Sequence, residues 1–341
     1  MPADGRFLRG CRRERTDVTP VWFMRQAGRY LPEYRALRQR HSLLVLCHAP
    51  ELAAQVTLQP VERLGVDAAI LFADLLLPFE ALGLGLSFAA GEGPRIERPI
   101  KTAADVARLP PVDPASDLGY VLEAARLARA ALPADIPLIG FAGAPFTLTS
   151  YAIEGGATRT FELTRAFMRR TPDTWHRLLS RFAELSGRFL AAQAAAGAQA
   201  LQLFDSWVGC LTPEEYRTFV QPHSRRALVL AAAAGVPVIH FGTGTAPFLE
   251  DFAAAGGDVI GVDWRIPLDE AWDRIGPTKA IQGNLNPAAL LELPEERERQ
   301  VRDVLARAGG RPGHIFILGH GVLPETPPDA LRAVVDQVHG A

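Results

Sequence analysis

The feature that most constrains this chain is a rhythm. Short apolar runs of three to five residues recur along it, each closing on a polar or glycine-rich punctuation. In order they are Val21–Met24, Ala68–Phe72 (closing at Asp74), Pro137–Phe141 (Gly143) and Ala200–Phe204 (Asp205-Ser206). Pro237–Phe241 (Gly242-Thr243), Val259–Val262 (Asp263), Ala280–Gln282 (Asn284) and Ile315–Leu318 (His320) follow. Runs apolar on both faces are what parallel strands look like when helices cover the sheet. Helix signals stand between them. Thr212-Pro213-Glu214-Glu215 offers an N-cap, a proline at the first helical position and the glutamate of a capping box, with a stop near Gly235. Thr171-Pro172-Asp173 opens another helix that stops near Gly197. Eight strands alternating with helices predict a (β/α)8 TIM-type barrel with its cleft at the C-terminal ends of the strands. An open sheet with helices on both faces is the second possibility. At 341 residues the chain suits one barrel unit over 1–341, with residues 1–6 as a flexible N-terminus. Gly83 to Asp135 reads as an excursion plus one helix, about Asp117–Ala131.

Composition excludes several classes. The formal net charge is −2, so affinity for anions must come from local clustering. Cys11, Cys47 and Cys210 are an odd number without CxxC spacing, which argues for ordinary thiols in a reducing compartment. The arginine-rich start, Met1 to Arg15, lacks a following apolar stretch, and no run of about 18 apolar residues occurs. The expectation is a cytoplasmic protein.

In a barrel, residues just past the strands point into the cleft from a rigid platform. That rule selects Arg25, Asp74, Phe141, Ser206, His240, Asp263, Asn284 and His320. If Gln26–Tyr30 forms one helical turn, Arg25 and Arg29 share a face and repel unless an anion bridges them. Two exposed arginines paired with Glu33 or other carboxylates are the plain alternative. Their place directly after a strand, beside Gly28 and Tyr30, favours a polyanionic ligand held by guanidinium forks. Asp74 is a helix N-cap, a structural salt-bridge partner, or a carboxylate in a partly dry cleft, suited to stabilising a cation. His320, between two glycines, is either structural or approached closely by a ligand. "GFAGAPFTLTSYAIEGG" (Gly140–Gly156) leads to Tyr151 but has neither the P-loop nor the GxGxxG pattern. No HExxH, HxH or paired Cys/His spacing indicates a metal.

Several stretches together resemble one family. "PVWFMRQAGRYLPEYR", "DAAILFADLLLP", "GFAGAPFTLTSYAIEGG", "LQLFDSWVG", "HFGTG", "QGNLNP" and "LGHGVLPETPP" stand in the order found in the uroporphyrinogen decarboxylases of haem biosynthesis. The resemblance covers the chain from about Phe7 onward. It implies a homodimeric, cofactor-free carboxy-lyase that removes the four acetate carboxyls of uroporphyrinogen III, giving coproporphyrinogen III and carbon dioxide. It implies substrate binding by Arg25, Gln26, Ala27, Gly28 and Arg29, with Tyr151, Ser206 and His320, and also by Arg38 and Phe141. Asp74 would accept the pyrrole N–H groups, and Asp74, Arg25 and Tyr151 would be the catalytic set. Leu43 departs from relatives that carry an aromatic there.

A mechanism follows from that resemblance. Losing carbon dioxide from an acetate leaves a carbanion, and a protonated pyrrole is the electron sink that makes an organic cofactor unnecessary. Asp74 would stabilise the cation. Arg25 as the proton donor would need help, because a guanidinium is a poor acid at pH 7. Two other readings compete. Related barrels that transfer methyl groups through zinc carry an H-x-C pair where this chain has His240-Phe241-Gly242, and a cysteine near His320. A non-catalytic porphyrin-binding module would also keep the arginines.

Overall fold

The computed structural model describes residues 5–89 and 93–341. Its strands are β1 (Ala69–Ile70), β2 (Leu86–Ala89), β3 (Gly93–Ile96), β4 (Leu138–Gly143), β5 (Ala200–Asp205), β6 (Val238–Gly242), β7 (Val259–Gly261), β8 (Ala280–Leu285) and β9 (His314–Leu318). β1 and β4 to β9 form a curled, seven-stranded parallel sheet in chain order, while β2 and β3 pair as a separate antiparallel hairpin. All eight apolar runs therefore have a place, but the first is not a full strand. Only Val21 forms a bridge, to Phe316 of β9.

That bridge closes the curl. Phe316 N–H donates to Pro20 O (2.8 Å) and Trp22 N–H to Phe316 O (3.3 Å), while on the other side Asp67 N–H donates to Val21 O (2.8 Å). The stretch Pro20–Trp22 thus stands between β9 and the lead-in to β1. Its ladder stays short for a local reason: Pro20 has no N–H, and Val21 N–H is taken by the Asp67 side chain (2.7 Å). Asp67 also accepts from Arg6 (3.3 Å) and contacts His339 Nε2 (2.8 Å), tying both ends of the chain to the closure.

Two expectations change here. Residues 1–4 of the expected flexible N-terminus lie outside the described residues. Arg6, however, opens the helix Arg6–Cys11 and is pinned to Asp17 (2.8 Å) as well as Asp67. The excursion after Gly83 holds its helix, Gly119–Ala131, but also the β2–β3 hairpin, fastened by Ile96 N–H to Gly155 O (2.8 Å). The other helices cover the outside of the sheet, the longest being Pro172–Ala195. Thr212 and Glu215 form the capping box their spacing predicts.

The barrel interior is filled rather than open. Trp22 Nε1 donates to Gln282 (3.0 Å), and Gln282 in turn to Gln202 (3.1 Å), so side chains from β8 and β5 meet across the centre. Above this layer lies a wide opening.

Candidate active site

A cavity of about 710 Å³ sits at the C-terminal ends of the strands. Each wall comes from a different element. Arg25, Ala27, Gly28 and Arg29 come from the loop after Val21, and Arg38 from the helix Pro32–Arg38. Asp74 follows β1, Phe141 lies in β4, Ser206 follows β5 and His320 follows β9. Tyr151 projects from the helix Pro145–Glu154. Residues as far apart in sequence as Arg25 and His320 thereby share one space.

The floor is aromatic. Phe141, Phe204 and Phe241 come from three successive strands and meet edge to face, with centroids 5.6 and 5.8 Å apart. Tyr151 stacks on Trp207 at 3.8 Å and 27°, and Phe161 meets Trp207 by its edge at 5.2 Å. Phe88 and Pro94 of the hairpin complete the apolar side. Sequence reasoning missed these last two and Tyr34; the Gly-Glu-Gly-Pro between two short β-compatible runs was the available signal for the hairpin.

The opposite side is cationic. Three arginines, Arg25, Arg29 and Arg38, line the cavity against one carboxylate, Asp74. Residues 24–30 are turns and bends rather than the helical turn expected, and Arg25 sits at φ +61°. Such a left-handed backbone is costly for a residue with a Cβ. The side chain then runs past Gly321, where a Cβ would stand 2.5 Å from Arg25 Cδ. The glycines beside His320 therefore make room for protein: Gly321 for Arg25, and Gly319 for the Trp264 backbone (2.5 Å). Glu33, the alternative partner, is held by Arg63 at 3.0 Å instead. Among the described residues no carboxylate forms an ion pair with Arg25 or Arg29.

Gln26 departs from its expected place. It is fully buried, accepts from Phe23 N–H (3.0 Å) and donates to Ala68 O (3.0 Å), so it braces the loop from below and does not line the cavity. His240, Asp263 and Asn284 also leave the strand-end set. Phe241 faces the cavity, so its neighbour His240 faces the helices and stacks on Phe252 at 3.7 Å. Asp263 is buried on Gly244 N–H (2.7 Å) and Arg265, and Asn284 donates to the carbonyls of Asp263 and Ile266. Leu43 does line the cavity, leaving an aliphatic wall there.

Burial and nearby charge shift three of the titratable groups in the cavity. Burial pushes the Asp74 carboxyl above the usual carboxylate range, opposed by the Leu76 N–H (2.9 Å) and by the charge of Arg25. Tyr151 is pushed up to about 12 by burial and then by Asp74, so at neutral pH it keeps its proton. His320 is pushed down to about 4 by burial, then by Arg25 and Arg265, and is neutral. Among the described residues no three His, Cys, Asp or Glu side chains are grouped to hold a metal.

Four histidines share that neutral state, with a consequence for stability. His223, His314 and His320 are lowered to about 4 and His240 to about 3, in each case mainly by burial. Unfolded histidines take up protons below about 6.5, whereas these do not until the folded values are reached. The unfolded chain then binds more protons, so stability is full above pH 6.5 and falls toward pH 4. Each histidine contributes about 1 kcal/mol per pH unit in that window. Asp205, raised to about 7 by burial, and Asp74 act in the opposite sense and offset part of it. Urea unfolding should show a clearly lower midpoint at pH 5 than at pH 7; equal midpoints would mean these rings are not held neutral.

Taken together, a curled seven-stranded parallel sheet closed by the Val21 bridge carries an aromatic-floored cavity in which, among the described residues, Arg25 and Arg29 have no ion-pair partner and Asp74 is the one lining carboxyl, an enzyme-like site for a large polyanion. The comparisons with known proteins make this specific. A family model described as Uroporphyrinogen decarboxylase (URO-D) matches residues 2–341. A curated protein named uroporphyrinogen decarboxylase from Sorangium cellulosum is 58% identical over 98% of this chain and 95% of its own length. One of the same name from Carboxydothermus hydrogenoformans is 53% identical with the same coverage. The chain belongs to the uroporphyrinogen decarboxylase family. Among solved structures, a methyltransferase from Methanosarcina mazei superposes with a TM-score of 0.76 at 19% identity, covering 98% of this chain and 97% of that one, a likeness of fold alone.

Proposed function

We propose that this chain, as one barrel unit over 1–341, is a decarboxylase that converts uroporphyrinogen III to coproporphyrinogen III by removing its four acetate carboxyls. The observation that carries the reading is the pairing of three cavity arginines, without ion-pair partners among the described residues, with a single half-buried carboxyl over an aromatic floor. A tetrapyrrole with eight carboxylates needs cations around its edge and an acceptor for N–H groups at its centre, and family membership names that substrate.

In this mechanism Arg25, Arg29 and Arg38 take the peripheral carboxylates, and Asp74 accepts the pyrrole N–H groups. A proton added to a pyrrole ring carbon places positive charge on the ring. The C–C bond to the acetate carboxylate then breaks, its electron pair moves into the ring, and carbon dioxide leaves. The resulting exocyclic CH₂ takes a second proton and becomes methyl, while the ring carbon returns the first. One proton is consumed per carbon dioxide released. Asp74 opposes the ring cation from a fixed position in a partly dry cleft, which lowers the solvent reorganisation needed at the moment of reaction. Tyr151, holding its proton, donates a hydrogen bond, and Arg25 orients the reacting carboxylate beside the proton-delivery path.

The same reading takes the chain as a cytoplasmic homodimer, supported by family membership. Among the described residues no helix is long and apolar enough to cross a membrane. Sedimentation at micromolar concentration tests the dimer. Function is tested by anaerobic incubation with uroporphyrinogen III: the hepta-, hexa-, penta- and tetracarboxyl products should appear in turn. Stoichiometric binding without any loss of carboxyls would overturn the enzyme reading in favour of a porphyrin carrier.

A further inference from the structure

Asp205, the last residue of β5, lies between two cavity-lining residues, Phe204 and Ser206, and does not itself line the cavity. It is fully buried, and so is Thr147, whose hydroxyl donates to Asp205 Oδ1 at 2.8 Å. Thr147 Oγ1 in turn accepts from Trp207 N–H at 3.4 Å, and Ala144 N–H donates to Phe204 O at 2.8 Å. The first turn of the helix Pro145–Glu154 is therefore fastened to the end of β5 by a directional chain, Trp207 N–H to Thr147 O–H to Asp205. Tyr151 stands four residues beyond Thr147, on the same helix face one turn up. There its ring stacks on Trp207, the residue at the start of that chain.

We propose that Thr147 and Asp205 are positioning residues for the reaction, locking helix to strand so that the Tyr151–Trp207 stack holds the Tyr151 hydroxyl at the substrate. The inference rests on the reading of Tyr151 as a substrate-facing donor. A buried carboxyl is an expensive clip, and packing alone would be served as well by an apolar pair. A directional bond fixes the rotation of the helix about its axis, which apolar packing leaves looser, and a small misplacement of a donor costs heavily in rate.

The test uses the full chain. Thr147→Val keeps the shape but removes donor and acceptor. It should lower kcat about tenfold with KM little changed, while Thr147→Ser should recover to within about twofold. Near-ultraviolet circular dichroism should lose the Tyr–Trp contribution in Thr147→Val and regain it in Thr147→Ser. In a Tyr151→Phe background, Thr147→Val should cost almost nothing further, because both changes remove the same hydroxyl's action. An equal loss in both backgrounds overturns the proposal, since the brace would then act elsewhere. Unchanged dichroism in Thr147→Val overturns it as well, and that arm does not depend on activity. A wild-type chain inactive on uroporphyrinogen III would sink the functional reading while the dichroism arm still judged the brace. Should Thr147→Val not fold, Thr147→Ala serves with the same outcomes.

Discussion

Asp74→Asn is expected to fold normally and to lower kcat on uroporphyrinogen III by about 10² to 10³. The amide can keep one local bond, since Asp74 Oδ1 accepts from Leu76 N–H and an asparagine oxygen can do the same. What it cannot supply is negative charge. Burial already makes that charge costly, pushing the carboxyl above the usual range, and Arg25 only partly compensates. A charge kept at such cost and facing the cavity does more there than in water, because little solvent screens it. The acid limb of the wild-type kcat profile should accordingly lie above the ordinary carboxylate range and vanish in the variant. KM should change less than kcat, because the cation exists only during reaction. Near-normal turnover in Asp74→Asn would remove the cation-stabilising role.

The second large effect separates function from stability at one residue. Arg25→Ala and Arg25→Gly both delete the guanidinium, and each should lose about a hundredfold in kcat/KM, roughly 3 kcal/mol. They should differ in stability. At φ +61° alanine retains the penalty of its Cβ, while glycine does not. Arg25→Gly should therefore be the more stable of the two by about 1 kcal/mol, measured by urea unfolding. Equal stabilities would mean that the loop relaxes and the left-handed backbone is not imposed by its surroundings. The surroundings here are specific: Gln26 ties the loop to Ala68 O, Tyr30 O–H donates to Gln26 O (2.6 Å), and Gly28 can have no Cβ because Arg25 O lies 2.9 Å from where it would be. Strain held this firmly beside a cavity is consistent with a side chain that must point one way.

Much of the architecture could be read from residue order alone. Parallel strands buried on both faces write themselves as apolar runs, and caps such as Thr212 with Glu215 mark helix starts locally. For that reason all eight runs found places around the barrel. The strand-end rule brought Arg25, Asp74, Phe141, Ser206 and His320 to one cavity, since strand ends in a barrel converge. It failed for His240, Asp263 and Asn284. Which of two adjacent residues faces inward depends on register with the next strand, and Phe241 took the inward position beside His240. Gln26 failed differently: flanked by residues that line the cavity, it turned under the loop because two backbone groups needed its amide.

What the sequence by itself determined was the alternation of strand and helix, the wealth of arginine beside the first run, and the motifs that place the chain in its family. These are local patterns, set by periodicity, capping and residue type within a few positions. Only the tertiary structure decided that Arg25 enters the cavity from a left-handed turn, that Glu33 is already taken by Arg63, and that the β2–β3 hairpin supplies a wall. It also decided that Asp205 stays out of the cavity and accepts from Thr147 on the helix that carries Tyr151. Each of those depends on groups far apart in the chain competing for the same partner or the same space, and no local pattern records the outcome of that competition.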